Sequence, residues 1–440
     1  MQNHHNTRRQ FLKGLGALSA STLIPVSAFG ANVLNPNSIS FDNSVFEQNN
    51  AQTIILYLYG GASELAGNLT NLEEINAKSQ NPYPLDSITV TKNHFWQEAG
   101  GDVMERLLNN KDINIYRTCY RTVDGHRDHG TCTTQAQCGT AKFQQGIATT
   151  LASVLDYNNA LSMDANNPKS LMPFISLDGN SKFYLNDGLD IPNSFKPVTL
   201  DPRNNPYTLS GGNERYVLDP SKPQTTSEYL ENLAKRYNVD GVFKSYFERR
   251  RILDDYIKEI QEIQPPSGIE YPNTRFGTLI KNAVTIMLDN PYTKLLTMGT
   301  PGLGGWDDHS QALANYPRKM SDLFEALEVA IEHIKNSGKT NINIVIFSEF
   351  GRNVNYNNAK GWDHGNNQNV YWLGGWDYFN HQAIVGETKL TGNAPRIYTK
   401  PTNDSYHFQI FSVASTLFKL YGITNPEVIT RNQEIKNLIA

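Results

Sequence analysis

The chain is poor in cysteine and close to electrically neutral, and both scarcities exclude something. Its 440 residues include three cysteines and carry a formal net charge of −4. No stripe of Lys and Arg runs along it, so the electrostatic footprint of a nucleic-acid partner is missing. The densest basic run, Arg249-Arg250-Arg251, lies beside Asp254 and Asp255 and reads as a solvated helix face. Beyond the N-terminus no apolar run approaches the roughly 20 residues that span a bilayer. Internal repeats and low-complexity tracts are absent, which argues against solenoids and tails. The cysteines, Cys119, Cys132 and Cys138, are too few for a disulfide scaffold. They leave open one disulfide, free buried thiols, or a Cys/His zinc site drawing on His126 and His129.

What is present begins at Thr7-Arg8-Arg9-Gln10-Phe11-Leu12-Lys13. Paired arginines, an apolar pair and a lysine precede a mildly apolar run from Gly14 to Val26, and Ala28-Phe29-Gly30 supplies small residues for a peptidase. This order predicts a twin-arginine export signal over residues 1–30, cleaved near Ala31. The expected early partners are therefore the twin-arginine translocase and signal peptidase, and the expected location is periplasmic or secreted. Arg8, Arg9 and Lys13 leave with a segment that holds no acid, so the mature chain is more negative still. No stable membrane segment is expected to remain.

Residues 31–50 are polar and aperiodic and read as a linker. Ile54–Tyr59 is a short, wholly apolar run ending at Gly60-Gly61, the signature of a strand buried on both faces. Similar runs recur at Ile113–Tyr116, Pro173–Leu177, Leu295–Met298, Ile342–Phe347 and Val370–Leu373. Between two of them, Arg318–Asn336 carries apolar residues at helical spacing before Gly338. Strand, helix and strand make a βαβ unit, and the whole pattern predicts an α/β fold around a mostly parallel sheet. Residues 178–215 are dense in Asn, Asp, Pro and Gly, and Ser227–Gln264 is helix-rich. A single domain over 51–440, with a helical and irregular insertion around 180–270, is the expected organisation.

Three segments concentrate acids and histidines beside strands: Gly305-Trp306-Asp307-Asp308-His309, Ser348-Glu349-Phe350-Gly351-Arg352 and Gly361-Trp362-Asp363-His364-Gly365. Carboxylates and imidazoles at neighbouring strand ends converge, giving mixed oxygen and nitrogen ligation suited to a divalent metal, zinc or manganese. Asp307, His309, Glu349, Asp363 and His364 are the candidate ligands or their supports. Arg352 is either an anion clamp or the structural partner of a carboxylate. Trp306, Trp362, Trp372 and Trp376 form either an aromatic wall or core packing. A serine-hydrolase elbow is set aside, because Gly61-Ala62-Ser63-Glu64-Leu65 lacks its second glycine.

The order of export signal, strand with Gly-Gly, Gly-Trp-Asp-x-His, Ser-Glu-Phe-Gly-Arg-Asn and Asp-His-Gly resembles the family called domain of unknown function 1501. The resemblance covers nearly the whole mature chain and is sharpest in its C-terminal third. It implies an alkaline phosphatase- or sulfatase-like sheet flanked by helices, with a metal site at the strand ends. It also makes His129 a candidate ligand or base. Two departures stand out. Active members of that superfamily carry an Asp after the first strand, where only Glu64 is available here, and no residue clearly fills the nucleophile role. Two functions follow: a metal-dependent hydrolase of small phosphate or sulfate esters, or a non-catalytic binding or assembly protein on the same fold.

Overall fold

The computed structural model describes residues 34–122, 127–200 and 252–439, apart from positions 162, 163, 165, 166, 179, 180, 190, 193, 194, 254, 261 and 437. Between 201 and 251 it describes only 215–216, 224–225, 232 and 236. The expected export signal, His126, the Arg249–Arg251 run and most of the insertion lie outside the described residues.

Twelve strands follow in chain order: β1 Gln52–Tyr57, β2 Ile113–Tyr120, β3 Phe174–Ser176, β4 Val198–Thr199, β5 Arg215–Tyr216, β6 Gln224–Thr225, β7 Leu295–Met298, β8 Ile342–Phe347, β9 Asn367–Gly374, β10 Ile384–Val385, β11 Thr388–Thr391 and β12 Tyr398–Pro401. Eight of them form one sheet in the order β10-β2-β9-β8-β1-β7-β3-β4. Every pairing in it is parallel except those of β9, which runs antiparallel to both β2 and β8. The fold is thus an α/β fold with a mostly parallel sheet, as the apolar runs predict. The βαβ unit is present, with β1 inserted between its two strands.

Alternation along β1 shows why the run is wholly apolar. Ile54 and Leu56 pack into one core, with Leu323, Phe324 and Leu327 of the helix Ala312–Asn336 and Phe276 and Ile280 of the helix Arg275–Asp289. Ile55 and Tyr57 face the opposite core, with Leu151 of the helix Ile147–Tyr157 and Val413 and Leu417 of the helix Phe411–Leu420. Successive strand side chains point to opposite faces, so in a sheet covered on both sides both sets of side chains along this run are buried.

Two local readings differ. The helix expected from Arg318 starts at Ala312 and holds Pro317 inside its first turns. Within the span expected as a linker, Asn43–Asn49 is helical, its first turn capped by the Asp42 side chain accepting from Ser44 N. Leu34, Ile39 and Phe46 are buried there, too widely spaced to show a period in sequence. All three cysteines are free and buried, so no disulfide forms. Among the described residues no helix is long and apolar enough to cross a membrane.

Candidate metal centre

Topology explains why motifs that follow strands meet one that precedes a strand. β1, β7 and β8 are parallel neighbours, so the loops after them leave the same edge of the sheet. β9 runs the other way, so its start, and the Asp363-His364-Gly365 segment just before it, returns to that edge. β2 runs opposite to β9, and the chain after it delivers the helix His129–Cys138 to the same place. Asp128 caps that helix by accepting from Thr131 N at 2.7 Å, which sets His129 on its first turn.

Backbone contacts then lock the loops together. Trp306 N donates to Tyr59 O at 2.9 Å, Trp362 N to Asp308 O at 2.8 Å, and Asn353 N to Asp363 O at 2.9 Å. Two glycines make the approach possible. Gly60 sits at φ +116°, and a Cβ there would lie 2.5 Å from Asp307 N. A Cβ on Gly361 would lie 2.1 Å from the carbonyl carbon of His309. Gly60 and Gly361 are therefore packing requirements of the site.

His129, Asp307, His309 and His364 each offer one ligand atom, and these four atoms lie within 4.8 Å of one another. Each imidazole is held from behind through Nδ1. His129 Nδ1 is 3.0 Å from Glu349 Oε1, His309 Nδ1 is 3.0 Å from Asp363 Oδ1, and His364 Nδ1 bonds to the carbonyl oxygen of Arg127. All three partners are acceptors, so each Nδ1 is the donor there, and in the neutral imidazole Nε2 is the nitrogen left to offer a lone pair. The lone pairs converge. Asp307 Oδ1 is 3.4 Å from His129 Nε2, 3.0 Å from His309 Nε2 and 3.9 Å from His364 Nε2. His309 Nε2 and His364 Nε2 are 3.1 Å apart. His129 Nε2 is buried with no hydrogen-bond partner.

The Arg352 guanidinium touches two of the four atoms, bonding Asp307 Oδ1 through Nη2 and standing 3.4 Å from His309 Nε2 through Nη1; a divalent ion among the four would engage the donor atoms it leaves. Atoms each about 2 Å from one tetrahedral ion stand about 3.3 Å from one another, and the observed separations scatter about that value. Charge agrees. Asp307, Glu349 and Asp363 surround the cluster against the single buried guanidinium of Arg352, and one divalent ion matches the excess. Carboxylates behind ligating imidazoles are the usual way such rings are oriented. The residues present fit a divalent metal.

Glu349 and Asp363, expected among the ligands or their supports, stand behind the imidazoles of His129 and His309, outside the four converging atoms. Glu349 is almost wholly buried, accepting also from Gly60 N at 2.8 Å, with Ser348 Oγ at 3.1 Å. Arg352 is not available to clamp a substrate. It is buried, with Nε donating to Gly61 O at 2.7 Å, Nη1 to Trp362 O at 3.1 Å, and Nη2 to Gly60 O and to the Asp307 carboxylate. Burial works to raise the Asp307 pKa, but the hydrogen bond and charge of Arg352, with His309 and His129 beside it, hold it below the usual carboxylate range. Burial likewise keeps the His364 imidazole below its ordinary value, aided by the nearby Arg352, His129 and His309. Asp308 points away from the cluster to Lys319, at 2.7 Å, in a buried pair.

Glu64 does not stand in as a ligand. Fully buried, it accepts from Thr399 Oγ1 and Asn367 Nδ2, and burial pushes its pKa up to about 8. Trp306, Trp362 and Trp372 are core residues with no exposed face. A cleft of about 620 Å³ opens beside His309 and His364 and is lined also by Arg127, Asn353, Asp363, Arg396 and Tyr398. Sequence reasoning missed Arg127, Arg396 and Tyr398, since isolated residues of these types carry no pattern.

Residues 287–433 match the model of a family described as protein of unknown function DUF1501. That span carries Asp307, His309, Glu349, Arg352, Asp363 and His364, while His129 lies upstream of it. No curated protein matches the chain in sequence. Among solved structures, Ps i-CgsB in complex with k-i-k-neocarrahexaose is 12% identical at a TM-score of 0.36, covering 87% of this chain and 74% of its own. The lipoteichoic acid synthase LtaP from Listeria monocytogenes is 10% identical at 0.34, covering 92% and 80%. The PsFucS1 sulfatase from Pseudoalteromonas sp. is 10% identical at 0.34, covering 87% and 71%. Likeness this distant says nothing about the chemistry at the strand ends.

Proposed function

We propose that the mature protein is an exported metal-dependent hydrolase of phosphate or sulfate esters, with a divalent ion held by His129, Asp307, His309 and His364. The observation that carries this reading is the convergence of three Nε2 atoms and one carboxylate oxygen, with His129 Nε2 buried and without a hydrogen-bond partner. Zinc suits four nitrogen and oxygen donors at these separations, and manganese suits the same donors with added water. A bound divalent ion would supply a polarised ester oxygen and a water made acidic enough to ionise near neutral pH.

The chain's own residues do the rest. Glu349 and Asp363 fix the rings of His129 and His309, and the Arg127 carbonyl fixes His364. Arg352 ties Asp307 to the loop after β1, so the ligand oxygen keeps its place. The adjoining cleft carries two arginines, which favours an anionic ester over a neutral one. Export rests on the Arg8-Arg9 segment, and replacing both by Lys should stop it.

Metal analysis of the purified mature chain, followed by assay of generic aryl phosphates and aryl sulfates, tests the proposal. About one zinc or manganese per chain with turnover, both lost in His309→Ala, is the expected result. A chain that binds no stoichiometric metal after addition of either ion refutes it. Metal without turnover would point to the non-catalytic binding protein.

A further inference from the structure

The buried Arg352 leaves open what would recognise the anionic substrate, and the cleft wall answers it. Arg127 is half-buried, two residues before His129, and its two ends do different work. Its carbonyl holds the ligand imidazole of His364. Its guanidinium lies over the Tyr398 ring, 4.8 Å from the centroid, and donates from Nη1 to the Tyr398 hydroxyl at 2.8 Å. Arg396 is exposed on the turn joining β11 to β12, on the same cleft. Among the described residues neither guanidinium is paired with a carboxylate. The acid that does line the cleft, Asp363, has its Oδ1 on His309.

The wall is also built to stay in place. Tyr398 begins β12, and the next residue, Thr399, is fastened to the buried Glu64. The hairpin is pinned again where Asn68 Nδ2 donates to Thr388 Oγ1 at 2.9 Å. An arginine flattened on an anchored aromatic ring has most of its side-chain freedom already removed, so its free N–H groups accept an anion at low entropic cost.

We infer that Arg127 and Arg396, with Tyr398 between them and the core, form a subsite for a second anionic group of the substrate, separate from the ester group that meets the metal. The substrate class is then a polyanionic ester carrying a second sulfate, phosphate or carboxylate, and not a monoester with a neutral remainder. This rests on the metallohydrolase reading for the first group only.

Binding, not turnover, tests it. Benzenesulfonate and benzene-1,3-disulfonate carry one and two anionic groups, are not esters, and bind metals weakly. They would be titrated by calorimetry into the mature chain as purified, at low ionic strength, where a partly exposed subsite is least screened. The disulfonate should bind at least about tenfold more tightly than the monosulfonate, the scale of one charge-assisted contact. Arg396→Gln, at an exposed turn that makes no side-chain bond, should collapse that ratio toward one. Arg127→Lys should do much the same, because an ammonium neither stacks nor forks, and unchanged metal content will show that His364 is undisturbed. Equal affinities for the two probes in the wild-type chain, or an unchanged ratio in both variants, overturn the inference. A preserved ratio in a chain that binds no metal would keep the arginine subsite and sink the metallohydrolase. A ratio of one in a metal-loaded chain would do the reverse.

Discussion

Removing the negative charge of Glu349 while keeping its shape isolates what the residue does for the metal centre. Glu349 Oε1 accepts from Gly60 N at 2.8 Å and faces His129 Nδ1 at 3.0 Å, and Oε2 lies 3.1 Å from Ser348 Oγ. A glutamine can turn its oxygen to the first two groups and its amide to Ser348 Oγ, whose hydrogen already goes to Leu58 O at 2.6 Å. The fold should therefore survive, while the imidazole loses a charged acceptor and its Nε2 becomes a poorer donor to a metal. Loss of such a supporting carboxylate costs about 10- to 100-fold in metal affinity, or about 1.4–2.8 kcal/mol. Asp363→Asn should cost less than about tenfold. The His309–Asp363 pair is roughly half exposed and screened by water, whereas the Glu349 side chain is 1% exposed. Competition against a colorimetric chelator measures both affinities, and thermal midpoints of the metal-stripped chains check folding. The reasoning is refuted if Glu349→Gln binds zinc within about twofold of wild type, or if Asp363→Asn proves the more damaging change.

Three other changes test the surrounding structure. Lys319→Met should destabilise the fold by about 3–5 kcal/mol, the usual cost of stranding one partner of a buried ion pair, and weaken metal binding by loosening the loop that carries Asp307 and His309. Chemical denaturation and the same chelator assay would show it, since Lys319 Nζ binds Asp308 Oδ1 at 2.7 Å and Gly305 O at 2.8 Å. The three thiols should resist an aromatic disulfide reagent in the native chain and all react once it is unfolded, with no effect of reductant on the melting temperature. Burial accounts for this, pushing Cys119 up and Cys138 up to about 12. Glu64 is protonated in the fold up to about pH 8 but ionises in the unfolded chain near its ordinary value. Its contribution is therefore complete below about pH 4 and declines as pH rises toward 8, by at most about 5 kcal/mol. Glu64→Gln should remove that decline, and denaturation midpoints of the two chains at pH 5 and pH 8 would reveal parallel slopes if the reasoning fails.

The parts of this protein legible in its sequence are those written as contiguous pattern. Ile54–Tyr59, Ile342–Phe347 and Val370–Leu373 announce buried strands because a sheet covered on both faces buries both sets of side chains along such a run. Asp307, His309, Asp363 and His364 announce a site because acids, imidazoles and glycines crowd beside strands. Pattern stops at pairing. Nothing in Ser348-Glu349-Phe350-Gly351-Arg352 distinguishes a ligand from the group behind a ligand. That choice depends on which way the helix starting at His129 presents its ring, and His129 lies over 200 residues away from Glu349. Arg352 illustrates the same limit from the other side. An arginine beside a candidate site is an anion clamp or a strut according to whether carbonyls happen to surround it, and here Gly60, Gly61 and Trp362 supply them. On the proposed reading, once those carbonyls and Asp307 have consumed its donors, anion recognition falls to Arg127 and Arg396 of the cleft, residues that no motif marks. Metal ligation would then be carried by residues with a sequence signature, and substrate choice by residues without one. A chain could keep every motif intact and still change what it binds through two positions.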